Sequence, residues 1–247
     1  MKKLLTLLLV FVVATGLWAH DFEVDGIYYN NRGNSQVTVT YRDSTFDAYL
    51  DEYKGHVHIP ASVTCNGNTY EVVAIGHDAF KACSALSGVT LPNSITTIDL
   101  GAFEDCNTLS EVELPNSLTS IGSLAFQGCS SLKSITLPSS VVGLCPYVFE
   151  SCTSLENVTI LNGEMTVGLG CFDGCTQLKQ IHIPKGSKEH FLAMGLQKNG
   201  VQLVDGEMED NDATNTIVEM ILLVVGLLLL AFCINLLIKR IRSKKQA

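Results

Sequence analysis

The chain has 247 residues, with 25 Asp and Glu against 16 Lys and Arg, a formal net charge of −9 at pH 7. The charge is unevenly spread: residues 20–216 hold 24 of the acids and 9 of the bases, a net −15. Such a surface repels phosphate backbones and excludes nucleic acid as a natural partner.

Residues 1–19 have the make-up of a secretory leader. Lys2 and Lys3 precede an apolar run from Leu4 to Val13, and the small residues Ala14, Gly16 and Ala19 follow. Cleavage after Ala19 fits that order. An uncleaved anchor is the other reading, because Leu17 is bulky for a position three before the cut. Residues 20–56 come next, with Tyr28, Tyr29, Tyr41, Tyr49 and Tyr53 clustered in sequence. Some of these aromatics must pack against whatever follows.

From there the chain repeats itself. Phe80, Phe103, Phe126, Phe149 and Phe172 are spaced 23 residues apart. Cys83, Cys106, Cys129, Cys152 and Cys175 keep the same step, as do Leu86, Leu109, Leu132, Leu155 and Leu178. Two further apolar columns run through Val89 and Leu91 and their equivalents. Each unit reads A-F-x-x-C-x-x-L-x-x-V-x-L-P-x-S-x-x-x-I. A fixed period of this kind signals a solenoid, in which no unit buries its apolar side alone and stacking creates the core. The L-x-x-V-x-L part predicts a short strand with Val89 and Leu91 inward and Gly88 and Thr90 outward. Pro92, Pro115 and Pro138 end those strands, since proline donates no ladder hydrogen bond. Ala-Phe turns the chain back, through a brief helical turn. Two departures stand out: Leu161-Asn162-Gly163 replaces Pro-x-Ser in the fourth unit, and Cys145-Pro146 replaces a Gly-x pair. Each is read as a local bulge or a private loop.

The units resemble the BspA-like leucine-rich repeat family of bacterial surface proteins, a 23-residue variant of the repeat, over about residues 57–184. The resemblance implies an N-terminal strand cap at 21–29 and 36–41. It also implies a closing segment at 181–203 with a short helix near 188–196. The expected fold is therefore mainly β with short helical turns: a right-handed leucine-rich-repeat solenoid over 57–204, capped at 20–56. What the resemblance implies for function is attachment to host or neighbouring-cell surface proteins.

Nine cysteines in an exported chain suggest disulfides. Five of them share one column, however, and side chains in a parallel stack point the same way rather than at each other. A ladder of buried free thiols is the preferred reading. Cys65, Cys145 and Cys171 lie off the column and are freer to pair.

After an acidic linker at 205–216, residues 217–238 are apolar apart from Glu219. At 1.5 Å per residue they are long enough to cross the ~30 Å hydrocarbon layer as one helix. Lys239, Arg240, Arg242, Lys244 and Lys245 follow and belong on the cytoplasmic side. That orientation makes 239–247 a cytoplasmic tail and puts the body outside the cytoplasm, at the cell surface or facing a periplasm. A removable tail exchanged for another anchor is the alternative.

No constellation for catalysis is legible: there is no G-x-S-x-G, P-loop, H-E-x-x-H or dinucleotide fingerprint. His56 and His58 share a strand face and read as a solvated pair rather than metal ligands. Glu111 and Glu113 point out from an open strand with no pocket implied. We expect no enzyme, no cofactor and no metal. The candidate partner-binding surface is the outward sheet face: Glu111, Ser134, Asn157 and Gln180 in one column, and Glu113, Thr136, Thr159 and His182 in the next. The tyrosine-rich cap is the alternative interface. The expected role is protein–protein interaction or adhesion, with a structural or sensory envelope component, acting on a membrane or periplasmic partner, as the second reading.

Overall fold

The computed structural model describes residues 20–42, 52–197 and 200–206. The expected leader, most of the acidic linker, the expected span at 217–238 and the basic tail lie outside the described residues. Among those that are described, no helix is long and apolar enough to cross a membrane. All of them fall within one compact unit, 1–207.

The chain opens with three antiparallel strands, β1 (Phe22–Val24), β2 (Ile27–Gly33) and β3 (Gln36–Thr40). After β4 (Gly55–His58) comes a hairpin of β5 (Ser62–Cys65) and β6 (Asn68–Ile75). Asn66 and Gly67 make its two-residue turn, both with positive φ. That backbone twist matches the twist of the flanking strands, which is why Asn-Gly sits there. The repeats then alternate longer and shorter strands. The longer ones are β7 (Leu86–Thr90), β9 (Glu111–Glu113), β11 (Ser134–Leu137), β13 (Asn157–Ile160) and β15 (Gln180–Pro184). Between them lie β8 (Thr97–Ile98), β10 (Ser120–Ile121), β12 (Gly143–Leu144) and β14 (Thr166–Val167), each of two residues. Helix α1 (Lys188–Ala193) and strand β16 (Gln202–Gly206) close the array. The last strand thus runs two residues into the stretch expected as linker.

These elements form a right-handed β-solenoid of about six turns. The longer strands run parallel and in register with the 23-residue period, in two sheets: Val89 pairs with Val112 in one, and Val158 with Ile181 in the other. The shorter strands make a second parallel ladder, β6-β8-β10-β12-β14. The cap strands β1, β2 and β3 join that second ladder through β6 and extend it.

The third side of each turn is not a helix. It is a column of isolated turns in which Cys106 N–H donates to Phe103 O at 3.2 Å and Leu109 N–H to Cys106 O at 3.0 Å. The expected helical turn is therefore corrected to non-repeating i→i−3 bonds. The reason lies in the backbone. Two positions per turn, 78/101/124/147/170 and 82/105/128/151/174, all have positive φ. Left-handed residues two before and two after each Phe interrupt any right-handed helix. In exchange, alternate N–H groups face the next turn. Gly101, Phe103 and Asp105 donate to Ser123, Ala125 and Gln127 carbonyls at 3.0, 2.8 and 2.8 Å.

The core runs along the axis. Phe80, Phe103, Phe126 and Phe149 are fully buried. Their rings stack nearly parallel, with centroids 4.9, 5.1 and 5.4 Å apart, and Phe172 follows at 5.7 Å. At the N-terminal end Tyr53 lies on Phe80 at 4.6 Å. Its hydroxyl donates to Thr40 O at 2.7 Å and accepts from Tyr28 N–H at 3.2 Å.

The eight cysteines described are all free, Cys65, Cys145 and Cys171 among them. Four of the five thiols of the main column share one task. Cys106, Cys129, Cys152 and Cys175 donate to the carbonyls of Phe80, Phe103, Phe126 and Phe149, at 2.9, 3.2, 3.1 and 3.1 Å. The column thus needs a small side chain with one donor that tolerates burial, and cysteine supplies it. The two departures in the repeat also resolve. Ser94 and Ser117 hydroxyls donate to carbonyls of the previous turn, each at 2.7 Å. In the fourth unit the Asn162 amide makes the equivalent bond to Val141 O at 3.0 Å, so the turn keeps its place without a bulge. Pro146 O accepts from Leu124 N–H and Cys145 O from the Cys171 thiol, which keeps that segment in the stack as well.

Burial raises the thiol pKa of Cys106, Cys129 and Cys152, and pushes Cys175 up to about 12. A free thiol has a pKa near 8.5. Stability from keeping these protons is complete below about pH 8.5 and is lost as pH climbs toward the raised values. A thiol reagent at pH 8 is expected to label the half-buried Cys65 and Cys145 in the native protein and to leave Cys106, Cys129 and Cys152 unreacted. Denaturation without reductant should expose nine thiols, and five or fewer would contradict a ladder of free thiols.

Candidate functional site

The longer strands present alternate residues outward, as the pleat requires. On β9 Glu111 and Glu113 are exposed while Val112 is buried. Ser134 and Thr136 are exposed on β11, and Asn157 and Thr159 are half-buried on β13, as are Gln180 and His182 on β15. The structure thus brings all eight onto one face. Ser134, Asn157 and Gln180 lie side by side across three strands, as do Thr136, Thr159 and His182.

The face is not one continuous sheet. The ladder divides into β4-β7-β9 and β11-β13-β15-β16, and β9 does not pair with β11. A depression of about 350 Å³ opens there, lined in part by His56, Thr90, Glu111, Glu113 and Ser134. The turns on either side remain joined through the column of left-handed turns and the ladder of shorter strands.

Gly88 holds the outward place opposite His56 that the alternation gives it, but it is covered and buried. The His56 ring lies over it, and a Cβ at Gly88 would sit 2.5 Å from His56 Nδ1. His56 Nε2 is 2.8 Å from Thr90 Oγ1, and the His56 and His58 rings are 4.6 Å apart. His56 is therefore seated on the face rather than simply solvated. The absence of a side chain at Gly88, in a column otherwise filled, makes room for that ring.

Electrostatically the face is one-sided. Among the described residues neither Glu111 nor Glu113 takes part in an ion pair. Glu156 pairs with Lys179 at 3.1 Å, and Glu104 with Lys81 at 3.0 Å, both outside the two outward columns. No group of three or more His, Cys, Asp or Glu converges to hold a metal among the described residues. The two carboxylates, open to solvent and flanked by hydroxyls, are suited to contact rather than to proton transfer in an enclosed site.

One solved structure shares this fold. A leucine-rich repeat protein of T. pallidum is 24% identical, with a TM-score of 0.56 over 76% of this chain and 82% of that one. A leucine-rich repeat protein from Bacteroides capillosus is 32% identical, over 56% of this chain and 96% of that one, with a TM-score of 0.46. A leucine rich cell surface protein from Faecalibacterium prausnitzii is 21% identical, over 65% and 53% of the two chains, with a TM-score of 0.46. Among curated proteins none matches. The matched family is one of repeat proteins, and no catalytic family is indicated. The description "BspA type Leucine rich repeat region" matches residues 73–191 in six copies, the stretch that carries the Phe stack, the thiol column and the paired ladders, so the chain belongs to the BspA-type leucine-rich repeat family.

Proposed function

We propose that this chain is a membrane-tethered, extracytoplasmic binding protein whose strand face, centred on Glu111 and Glu113, takes a host or neighbouring-cell surface protein that presents Lys or Arg. The observation that carries this reading is the pair of exposed carboxylates that, among the described residues, take part in no ion pair, on a face otherwise built mostly of small hydroxyls and amides. Charges left unpaired at a contact face set partner choice and speed encounter more than they add raw affinity. The tether rests on the sequence: an apolar leader-like start, an apolar stretch at 217–238, and a basic cluster after it.

The reading has two direct tests. Protease shaving of intact cells should release the body if it faces outward, and full protection would place it elsewhere. Binding assays with a body spanning residues 21–215, against surface and matrix proteins, should retain a basic partner at micromolar concentration. The double substitution Glu111→Lys and Glu113→Lys should weaken that binding at least tenfold, make it insensitive to salt, and leave the melting midpoint nearly unchanged. Surface substitutions of this kind cost within about 0.5 kcal/mol. Binding unaffected by the double substitution would move the interface off this face.

A further inference from the structure

The two ends of the turn column are finished differently. At the start, Tyr53 covers the first ring, 4.6 Å from Phe80. Along the column every turn donates three N–H groups, two residues apart, to the turn that follows. Asp78, Phe80 and Ala82 donate to Leu100, Ala102 and Glu104. Tyr147, Phe149 and Ser151 donate to Leu169, Cys171 and Asp173, at 2.9, 2.9 and 2.7 Å. The last turn has no successor. Among the described residues nothing accepts from the N–H groups of Gly170, Phe172 and Gly174. Phe172 is also the one ring of the stack that is only half-buried. The chain does return past this end, as α1 and Met194–Leu196, but it stands off. A crevice of about 310 Å³ separates that segment from the last turn, walled by Gly170, Phe172, Gly174 and Cys175 on one side and by Met194 and Leu196 on the other.

We propose that this crevice is a docking site for an extended, aromatic-bearing segment of a partner protein. The segment supplies alternate backbone carbonyls to Gly170, Phe172 and Gly174 and lays its ring on Phe172. The donor geometry selects this occupant. Three N–H groups spaced along a chain call for a row of acceptors, whereas a single anion needs donors that converge. Exposed Asp173 on the same wall also disfavours an anion. A second copy of the body would bring another charge of −15 against this one. Adding a strand-like segment to an open row of donors is an established mode of peptide recognition, with main-chain bonds giving affinity and side-chain pockets giving specificity. The site lies apart from the Glu111–Glu113 face, and neither depends on the other.

The chain itself provides a probe. A capped peptide reproducing residues 121–128 carries the carbonyls of Ser123, Ala125 and Gln127 and the ring of Phe126, the set that covers the turn before its own. With the full chain in detergent and ¹⁵N labels, saturating peptide should slow amide exchange at Gly170, Phe172 and Gly174 at least tenfold. The same peptide with Phe126→Ala should bind at least tenfold more weakly. The Phe172→Ala protein should lose affinity by the same factor. If that variant proves poorly folded, Thr176→Trp, which fills the crevice from an exposed position, should block binding instead. Millimolar peptide that leaves all three amides unchanged would overturn the proposal. So would amides already protected in the free full chain, which would make a segment of this chain the occupant.

Discussion

Phe126→Ala is expected to destabilise the solenoid by about 3–5 kcal/mol, the range for emptying a fully buried aromatic site. Phe126 has no exposed surface and lies between two rings, 5.1 Å from Phe103 and 5.4 Å from Phe149. Its neighbours cannot collapse into the gap, because their turns are pinned above and below. Phe103 N–H is bonded to Ala125 O at 2.8 Å and Phe126 N–H to Val148 O at 2.9 Å. The position matters as much as the burial. The ladder of longer strands is interrupted between β9 and β11, the strands that follow Phe103 and Phe126. There the turn column and the shorter strands carry the coupling that elsewhere the long strands share. A repeat array is stabilised by nearest-neighbour interfaces, so a cut at the weakest one separates two halves. The expected result is a melting midpoint lower by roughly 10 °C, given about 2–4 °C per kcal/mol for a domain of this size. The transition should also broaden as the halves begin to unfold separately. Phe172→Ala, at the half-buried end, should cost only about 1–2 kcal/mol, in keeping with the smaller area it removes from water. Equal midpoints for the two variants would contradict a stack centred on Phe126.

Much of this was legible because stacking writes itself into sequence as period. A residue that must contact its equivalent one turn away recurs every 23 positions, and Phe, Cys, Leu and Val do so. The strand face was legible from alternation alone, and its eight outward residues are where the pattern puts them. Other features left no such trace. The shorter strands contribute two residues per turn, such as Thr97 and Ile98, too few for a period of two to show. The left-handed positions are filled by Asp78, Gly101, Leu124, Tyr147 and Gly170, residue types with no common local preference. The neighbouring turns impose that conformation, since the N–H groups of Asp78, Gly101, Leu124 and Tyr147 each have a carbonyl waiting in the next turn. For Leu124 and Tyr147 it costs roughly 1–2 kcal/mol each, offset by bonds that a helix would forgo. The thiol column could be read as buried but not as a row of donors, because its acceptors lie 26 residues back in sequence. His56 over Gly88 likewise depends on two residues that are distant in sequence.

Gly122→Ala is the second substitution with a large expected effect, about 3 kcal/mol, at the upper end of ordinary overpacking. A Cβ at Gly122 would sit 2.5 Å from Leu100 N and 2.6 Å from Asp99 C. Both are backbone atoms, so no side chain can swing away; the turns themselves must part. Parting them strains Gly122 N–H to Ile98 O at 2.8 Å, and beyond it the Phe103 bond to Ala125. Gly186→Ala is the control. That residue has a positive φ of 84° but nothing within 4 Å of the added carbon, so only the backbone penalty of roughly 1–2 kcal/mol applies. Chemical denaturation of both variants checks the difference, and equal losses would mean the close approach at Gly122 is absent. The same contact accounts for the odd pair Cys145-Pro146. Along this position the chain reads Gly76, Asp99, Gly122, Cys145, Gly168. Gly122 meets the backbone of Asp99 and Leu100, and Gly168 meets that of Leu144, Cys145 and Pro146. In both places the turn carrying the side chain is followed by a turn with glycine. What looks in the sequence like a lapse at residue 145 is the second instance of an alternation, set by how closely these turns approach.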